Sequence, residues 1–191
     1  MDIVRGSLKS KDELISFYRE LSKKFTSDPP LADKEGKIIR FNERWVPFSS
    51  RYWPASLIEV VKGLGPVVKT FLYNFGYCCG RDATKRYLSM GISKENVFNY
   101  QLAGCWYLGW FLGYVDKILD DKAVVVLLNS FEAESILKHF GKQDEPSCHI
   151  TRGVLAGNWS VVLGKDAVGV EVECMAKGDK CCTFILKPKA S

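Results

Sequence analysis

Pro146-Ser-Cys148-His-Ile-Thr-Arg-Gly153, then Glu171-Val-Glu-Cys174-Met-Ala-Lys-Gly-Asp179 and Cys181-Cys182-Thr-Phe184, sets the architecture of the last third of this chain. Pro146 precedes a predicted helix over Cys148 to Leu163, and Gly164 follows as the residue just past its end. Val168 to Met175 and Cys181 to Lys187 are predicted as strands of a hairpin that turns across Ala176 to Lys180. A helix that runs into an antiparallel hairpin is an α+β signature.

The pattern repeats upstream. Leu112 to Leu119 and Ala123 to Asn129 read as a second hairpin turning at Asp120-Asp121, and the unalternating run Ala123 to Leu128 predicts a strand covered on both faces. Asn129 with Glu132 forms a capping box for a helix ending at Phe140-Gly141. Ser93 caps a helix from Lys94 to about Phe111, Ala55 to Lys62 forms another, and Pro66 opens one reaching about Tyr87. Leu14, Phe17, Leu21 and Phe25 mark an amphipathic helix over Lys11 to Phe25, with Ser10 as N-cap. Residues 26–36 read as a linker and Lys37 to Asn42 as a short strand; Trp45 to Trp53 carries no clear periodicity. The expected fold is α+β, an antiparallel sheet of four to five strands packed by helices. Residues 1–36 form an N-terminal helix and linker suited to dimerisation, and residues 37–191 a single domain.

Composition narrows the function. The 191 residues are 47% hydrophobic and 26% charged, a globular mixture. A net charge of +5 without any block of like charges argues against direct nucleic-acid binding. The longest apolar run, Leu102 to Val115, is 14 residues with three glycines, short of the roughly 18–20 that span a bilayer. Met1 to Lys11 has no apolar signal core, so a cytoplasmic location is expected. No G-x-S-x-G, Walker or zincin motif is present, and Gly63-x-Gly65 lacks the third glycine of a dinucleotide loop, so the reading leans away from an enzyme without deciding it.

Seven cysteines in a reducing compartment need an explanation other than disulfides. Cys148 opens a helix, Glu171 and Cys174 lie on one predicted strand, and Cys182 lies on its hairpin partner. Three thiolates and a carboxylate form a closed four-ligand set suited to structural zinc. Small apolar core residues are the other reading of the same cysteines. Glu173 is the rival of Glu171, set aside because it is expected on the opposite face.

Asn129-Ser-Phe-Glu-Ala-Glu134, the Pro146 to Gly153 run, and the Glu171 to Asp179 and Cys182 to Phe184 segments resemble the V4R (4-vinyl reductase) domain, with the motif core over 123–187. That family includes the sensory domains of phenol- and xylene-responsive activators, a protein tied to bacteriochlorophyll vinyl reduction, and stand-alone archaeal members. The resemblance implies a ligand-binding fold shared with the TRAPP transport subunits, self-association as a homodimer, and a zinc held by Cys148, Glu171, Cys174 and Cys182, at intervals of 23, 3 and 8. It implies a sensory module for a hydrophobic or aromatic small molecule. A tetrapyrrole vinyl-reduction protein and a TRAPP-like adaptor are the alternatives.

Trp106, Tyr107 and Trp110, read as one helical stripe, and His149 are the candidate ligand-binding residues, because buried indole, phenol and imidazole groups combine apolar walls with polar handles. Gly76 with Gly80, and Gly153 with Gly157, each share a helix face. They predict either close helix packing or a shaved surface that leaves room for a ligand. Cys78-Cys79 offers a candidate reactive or acylated thiol, and His139 is expected to face solvent.

Overall fold

Ser10 opens the first helix with a reciprocal cap: its Oγ accepts from Glu13 N and the Glu13 carboxylate accepts from Ser10 N, each at 3.2 Å. The computed structural model describes residues 10–23, 37–40, 43–45, 49 and 53–190. Helix α1 spans Lys11–Ser22; the linker expected over 26–36 lies outside the described residues. Strands β1 (Ile38–Arg40) and β2 (Glu43–Trp45) make a small antiparallel pair, the second of them unforeseen. Helix α2 (Trp53–Val61) and a 3-10 turn (Lys62–Leu64) lead through Pro66 into α3 (Val67–Ser89).

Helix α4 (Val97–Tyr107) is shorter than expected at both ends. Ser93 begins a turn instead of the helix, accepting from Asn96 N and Val97 N. Gly109, at φ 75°, closes the other end. Gly109 N donates to Trp106 O at 3.0 Å and Trp110 N to Cys105 O at 2.9 Å, the paired bonds of a glycine-terminated helix. Trp110 therefore stands beyond the helix, and the supposed Trp106–Trp110 stripe is broken.

The two hairpins form as read. Strands β3 (Gly113–Leu119) and β4 (Lys122–Leu127) turn at Asp120, which adopts φ 53°. Helix α5 (Phe131–Phe140) is capped by Ser130, whose Oγ accepts from Ala133 N. The expected capping box does not form, and the cap sits one residue later, at Ser130. Asn129 Oδ1 accepts instead from Leu112 N at 2.6 Å, and Glu132 is buried. Helix α6 (His149–Leu163) ends at Gly164, φ 74°. Strands β5 (Ala167–Glu173) and β6 (Cys182–Pro188) complete a four-stranded antiparallel sheet of order β3-β4-β6-β5.

Strand β4 alternates after all. Ala123, Val125 and Leu127 are fully covered while Val124 and Val126 are half-buried, so only one face is sealed. That face packs with Phe184 and Leu186 of β6 and with Val97, Leu102 and Ala103 of α4 in one core. Leu14 and Tyr18 of α1 join the same core, and the Tyr18 hydroxyl donates to Gly113 O. Of the apolar face of α1 expected to mediate dimerisation, Leu14 is buried in its own chain, Phe17 and Leu21 are half-buried, and Phe25 lies outside the described residues.

The glycine pairs resolve in favour of packing. A Cβ on Gly76 would lie 2.1 Å from Ile150 O, and one on Gly80 2.1 Å from Val154 O. The reverse holds for Gly153 against Tyr73 O and Gly157 against Tyr77 O, both 2.1 Å. Helices α3 and α6 thus run parallel with their backbones touching. No room is left for a ligand at these glycines. Each helical glycine costs roughly 1 kcal/mol of helix propensity, a loss that the contact of two entire helices offsets. Cys78 and Cys79 sit on the outer, exposed side of α3, where burial and then the neighbouring Cys78 push the Cys79 thiol up rather than activating it. We expect Gly80→Ala or Gly153→Ala to destabilise the fold by about 3 kcal/mol or more, because backbone cannot yield as a side chain does. Gly63→Ala, with open space around it, should shift the thermal midpoint little. Circular-dichroism melting of the three variants checks the contrast.

Candidate metal centre

Cys148 is the N-cap of α6, Glu171 lies on β5, Cys174 follows that strand's end, and Cys182 begins β6. Their ligand atoms all lie within 4.8 Å of one another, and all four residues are buried. Cys148 Sγ is 3.9 Å from Cys174 Sγ and 3.8 Å from Cys182 Sγ. A disulfide requires about 2.05 Å, so these sulfurs are unbridged. Two zinc–sulfur bonds of about 2.3 Å meeting at a tetrahedral angle separate their sulfurs by about 3.8 Å. The spacing fits a shared cation.

The carboxylate fits as well. Glu171 Oε2 accepts from Cys148 N at 2.9 Å, while Oε1 is buried without a hydrogen-bond partner. An unpaired buried carboxylate oxygen is costly unless a cation meets it. Protonation tells the same story. Contacts from the Cys148 and Cys182 thiols hold Cys174 as a thiolate, and the contact with Cys174 raises Cys148 well above an ordinary thiol. Burial and then the charge of Cys174 push Glu171 up to about 8. Packed this closely, the four donors oppose one another's ionisation, and a divalent cation is what would let them ionise together.

Around them is a second layer of donors. Met175 N donates to Cys182 Sγ at 3.3 Å. Ser130 Oγ lies 3.6 Å from Cys148 Sγ, and Ser147 Oγ 3.8 Å from Cys174 Sγ. Asp179 Oδ2 accepts from Cys174 N at 2.8 Å, fixing the turn that delivers that thiol. Such outer partners orient ligands.

Glu171 and Glu173 are two residues apart, so on a regular strand they would share a face. The pairing of β5 with β6 shifts between them. The irregularity turns Glu173 outward, onto Thr183 Oγ1 at 2.5 Å, and brings Cys174 inward. Glu171, not Glu173, is the carboxylate beside the three buried thiols, and an interrupted pleat rather than simple alternation separates the two. Cys181 is half-exposed and Cys182 is buried, as strand alternation requires.

The ligand-site candidates have different neighbours. Trp106 packs on Tyr18, ring centres 6.2 Å apart. Trp110 meets Phe131 at 4.9 Å and touches a second apolar cluster of Val61, Val68, Leu72, Ile150 and Val154. Tyr107 is half-buried at the end of α4. His149 lies outside the four-donor cluster; burial, then the charges of Arg152 and Lys69, depress it to about 4, so its imidazole is neutral at pH 7. His139 is exposed, with Nδ1 2.8 Å from Ser135 O.

Residues 127–188, about a third of the chain, match the V4R domain. That segment contains all four clustered donors. The chain is 44% identical over 61 residues to the phenol regulator MopR of Acinetobacter guillouiae, a stretch covering 32% of this chain and 11% of that protein. It therefore spans about a tenth of that regulator. It is also 22% identical over 138 residues to an uncharacterized protein of Methanocaldococcus jannaschii, covering 70% of this chain and 75% of that one. Among solved structures, the phenol-responsive sensory domain of the transcription activator PoxR, with phenol, superposes with a TM-score of 0.75 at 21% identity, over 92% of this chain and 90% of that one. A vinyl-4-reductase family protein from Methanocaldococcus jannaschii gives 0.52 at 17% identity, over 76% and 85%. The mixed helical and antiparallel fold is one that this chain shares with those two structures. No helix among the described residues is long and apolar enough to cross a membrane.

Cysteine exposure yields a direct check. Cys78 and Cys79 are exposed, Cys181 is intermediate, and Cys105, Cys148, Cys174 and Cys182 are buried. Burial pushes Cys105 up to about 12, further protecting it. Native-state labelling with a thiol reagent should mark Cys78 and Cys79 quickly, Cys181 slowly, and the other four only on unfolding.

Proposed function

We propose that this chain is a sensory module that takes a small hydrophobic or aromatic molecule and carries one structural zinc. The observation that carries the reading is the likeness of nine-tenths of the chain to a phenol-responsive sensory domain. The V4R segment adds a donor set with the spacing of a tetrahedral thiolate site. Cys148, Glu171, Cys174 and Cys182 would hold the ion, which supplies cross-linking and charge compensation rather than chemistry. It would tie the start of α6 to both ends of the β5–β6 turn. Apparent binding energies of structural zinc run to about 10–16 kcal/mol, more than many whole domains possess.

Elemental analysis should find one zinc per chain. Cys174→Ser or Cys182→Ser should abolish it and lower stability by about 3 kcal/mol or more, whereas Cys181→Ser should cost under about 0.5 kcal/mol. Glu171→Gln should retain zinc more weakly. Chelation should expose three further thiols to labelling. Less than about 0.2 zinc per chain, with melting unchanged by chelator, would reduce the cluster to core cysteines.

For the small molecule, Trp106, Tyr107, Trp110 and His149 are the proposed contacts. Trp110 is favoured among them: half-buried between two apolar clusters, it offers an indole N–H beside an aromatic wall of Phe131 and Trp53. A neutral imidazole at His149 suits a weakly acidic hydroxyl. Calorimetric titration with phenol should give a Kd of about 1–100 μM, weakened at least about tenfold by Trp110→Ala. No heat with phenol up to about 1 mM would remove phenol from the proposed class.

A further inference from the structure

The start of a helix leaves four backbone N–H groups without intrahelical partners, and the side chain of the N-cap residue ordinarily takes one of them. In α6 the N-cap is Cys148, and its side chain makes no cap bond. Every one of the four is nevertheless satisfied. Cys148 N donates to Glu171 Oε2 at 2.9 Å and His149 N to Ser147 O at 2.9 Å. Ile150 N donates to Glu132 Oε1 at 2.9 Å and Thr151 N to Glu132 Oε2 at 2.8 Å. Glu132 belongs to another helix, α5, and is fully buried.

We infer that Glu132 is a positioning residue for the metal centre: it caps α6 in place of Cys148 and so frees the Cys148 sulfur to turn toward Cys174 and Cys182. A Cys148 side chain that capped its own helix would turn to the Ile150 or Thr151 amide. With both amides already bound to a carboxylate, that conformation has nothing to bind. The Glu132 carboxyl accepts from two amides of that helix start. Its hold is bidentate, one oxygen per amide, so the first turn of α6 is fixed in rotation as well as position. Ser130, two residues before Glu132 at the same helix start, reaches Cys148 Sγ directly at 3.6 Å. The beginning of α5 thus grips the beginning of α6 at backbone and side chain together.

The inference rests on the metal reading above, and the experiment separates the two. Cobalt(II) added to the full chain reports thiolate ligation through its near-ultraviolet charge-transfer band, and competition with a chromophoric chelator gives the zinc affinity. In Glu132→Gln, one amide loses its acceptor and faces a donor instead. Zinc affinity should fall about 10- to 100-fold, and the cobalt band should drop toward that of two thiolates. Glu132→Asp keeps the charge and shortens the reach, so it should restore the band and part of the affinity. Leu155→Ala, a buried change elsewhere in α6, should lower the melting temperature while leaving band and affinity as they are. If Glu132→Gln does not fold, Glu132→Asp carries the test, with a loss of affinity expected relative to the wild type. Wild-type band and affinity in a folded Glu132 variant would overturn the role of Glu132 alone. Absence of a thiolate band in the wild type would overturn the metal reading and this inference with it.

Discussion

The backbone contact between α3 and α6 is the constraint that the remaining architecture must respect. Two parallel helices that touch through glycine leave no freedom in their separation, and little in their register, because each glycine lies against one particular carbonyl of the partner. With α6 fixed on one side by α3, its other side meets the sheet. Trp159 donates from Nε1 to Asp121 O, tying α6 to the β3–β4 turn. Trp159 also meets Phe98 of α4 edge to face, ring centres 5.4 Å apart. The first turn of α6 then has a defined place, above the end of β5 and the start of β6. A four-donor cluster needs its members placed to within a few tenths of an ångström, and a helix seated this rigidly provides one of them.

Much of this was legible in sequence wherever the deciding signal was local. The Ser10–Glu13 cap, the Pro66 helix entry, the Gly164 helix end and the two hairpins are all written in neighbouring residues. The four donors were legible through spacing and family resemblance together, since a helix start and a hairpin have predictable reach. Non-local partners were not. The glycine pairs were visible as pairs, but nothing in Gly76-x-x-x-Gly80 names Ile150 and Val154 as the groups it meets. Glu132 sits within Phe-Glu-Ala at a helix start and looks like an ordinary capping carboxylate; its amides lie 18 and 19 residues away. The end of α4 was readable at Leu108-Gly109, yet the aromatic run across it suggested one continuous stripe.

The same non-local contacts explain how the two candidate regions are related. Phe131 N donates to Trp110 O at 2.9 Å, and the two rings meet. Ser130 and Glu132, on either side of Phe131, touch the sulfur cluster and the α6 start. Three consecutive residues therefore join the aromatic segment after α4 to the four-donor cluster. Between Trp110 and the cap of α6 lie one backbone hydrogen bond, the Phe131–Glu132 peptide and the two Glu132 contacts.

The break in pairing between Glu171 and Glu173 matters beyond the donors it sorts. Strand β5 is an outer strand of the four-stranded sheet, and β3, the other outer strand, is likewise interrupted, between Val115 and Lys117. The inner strands β4 and β6 pair with each other without a shift. An outer strand offers free amides and carbonyls that another chain can copy, and a bulge spoils the copy. Val170 and Val172 are exposed on β5, the composition that would otherwise invite such addition. The kink that aims Glu171 and Cys174 inward thus also guards the sheet against growing by one strand from a neighbour, which ties resistance to aggregation to the local geometry of the donor cluster.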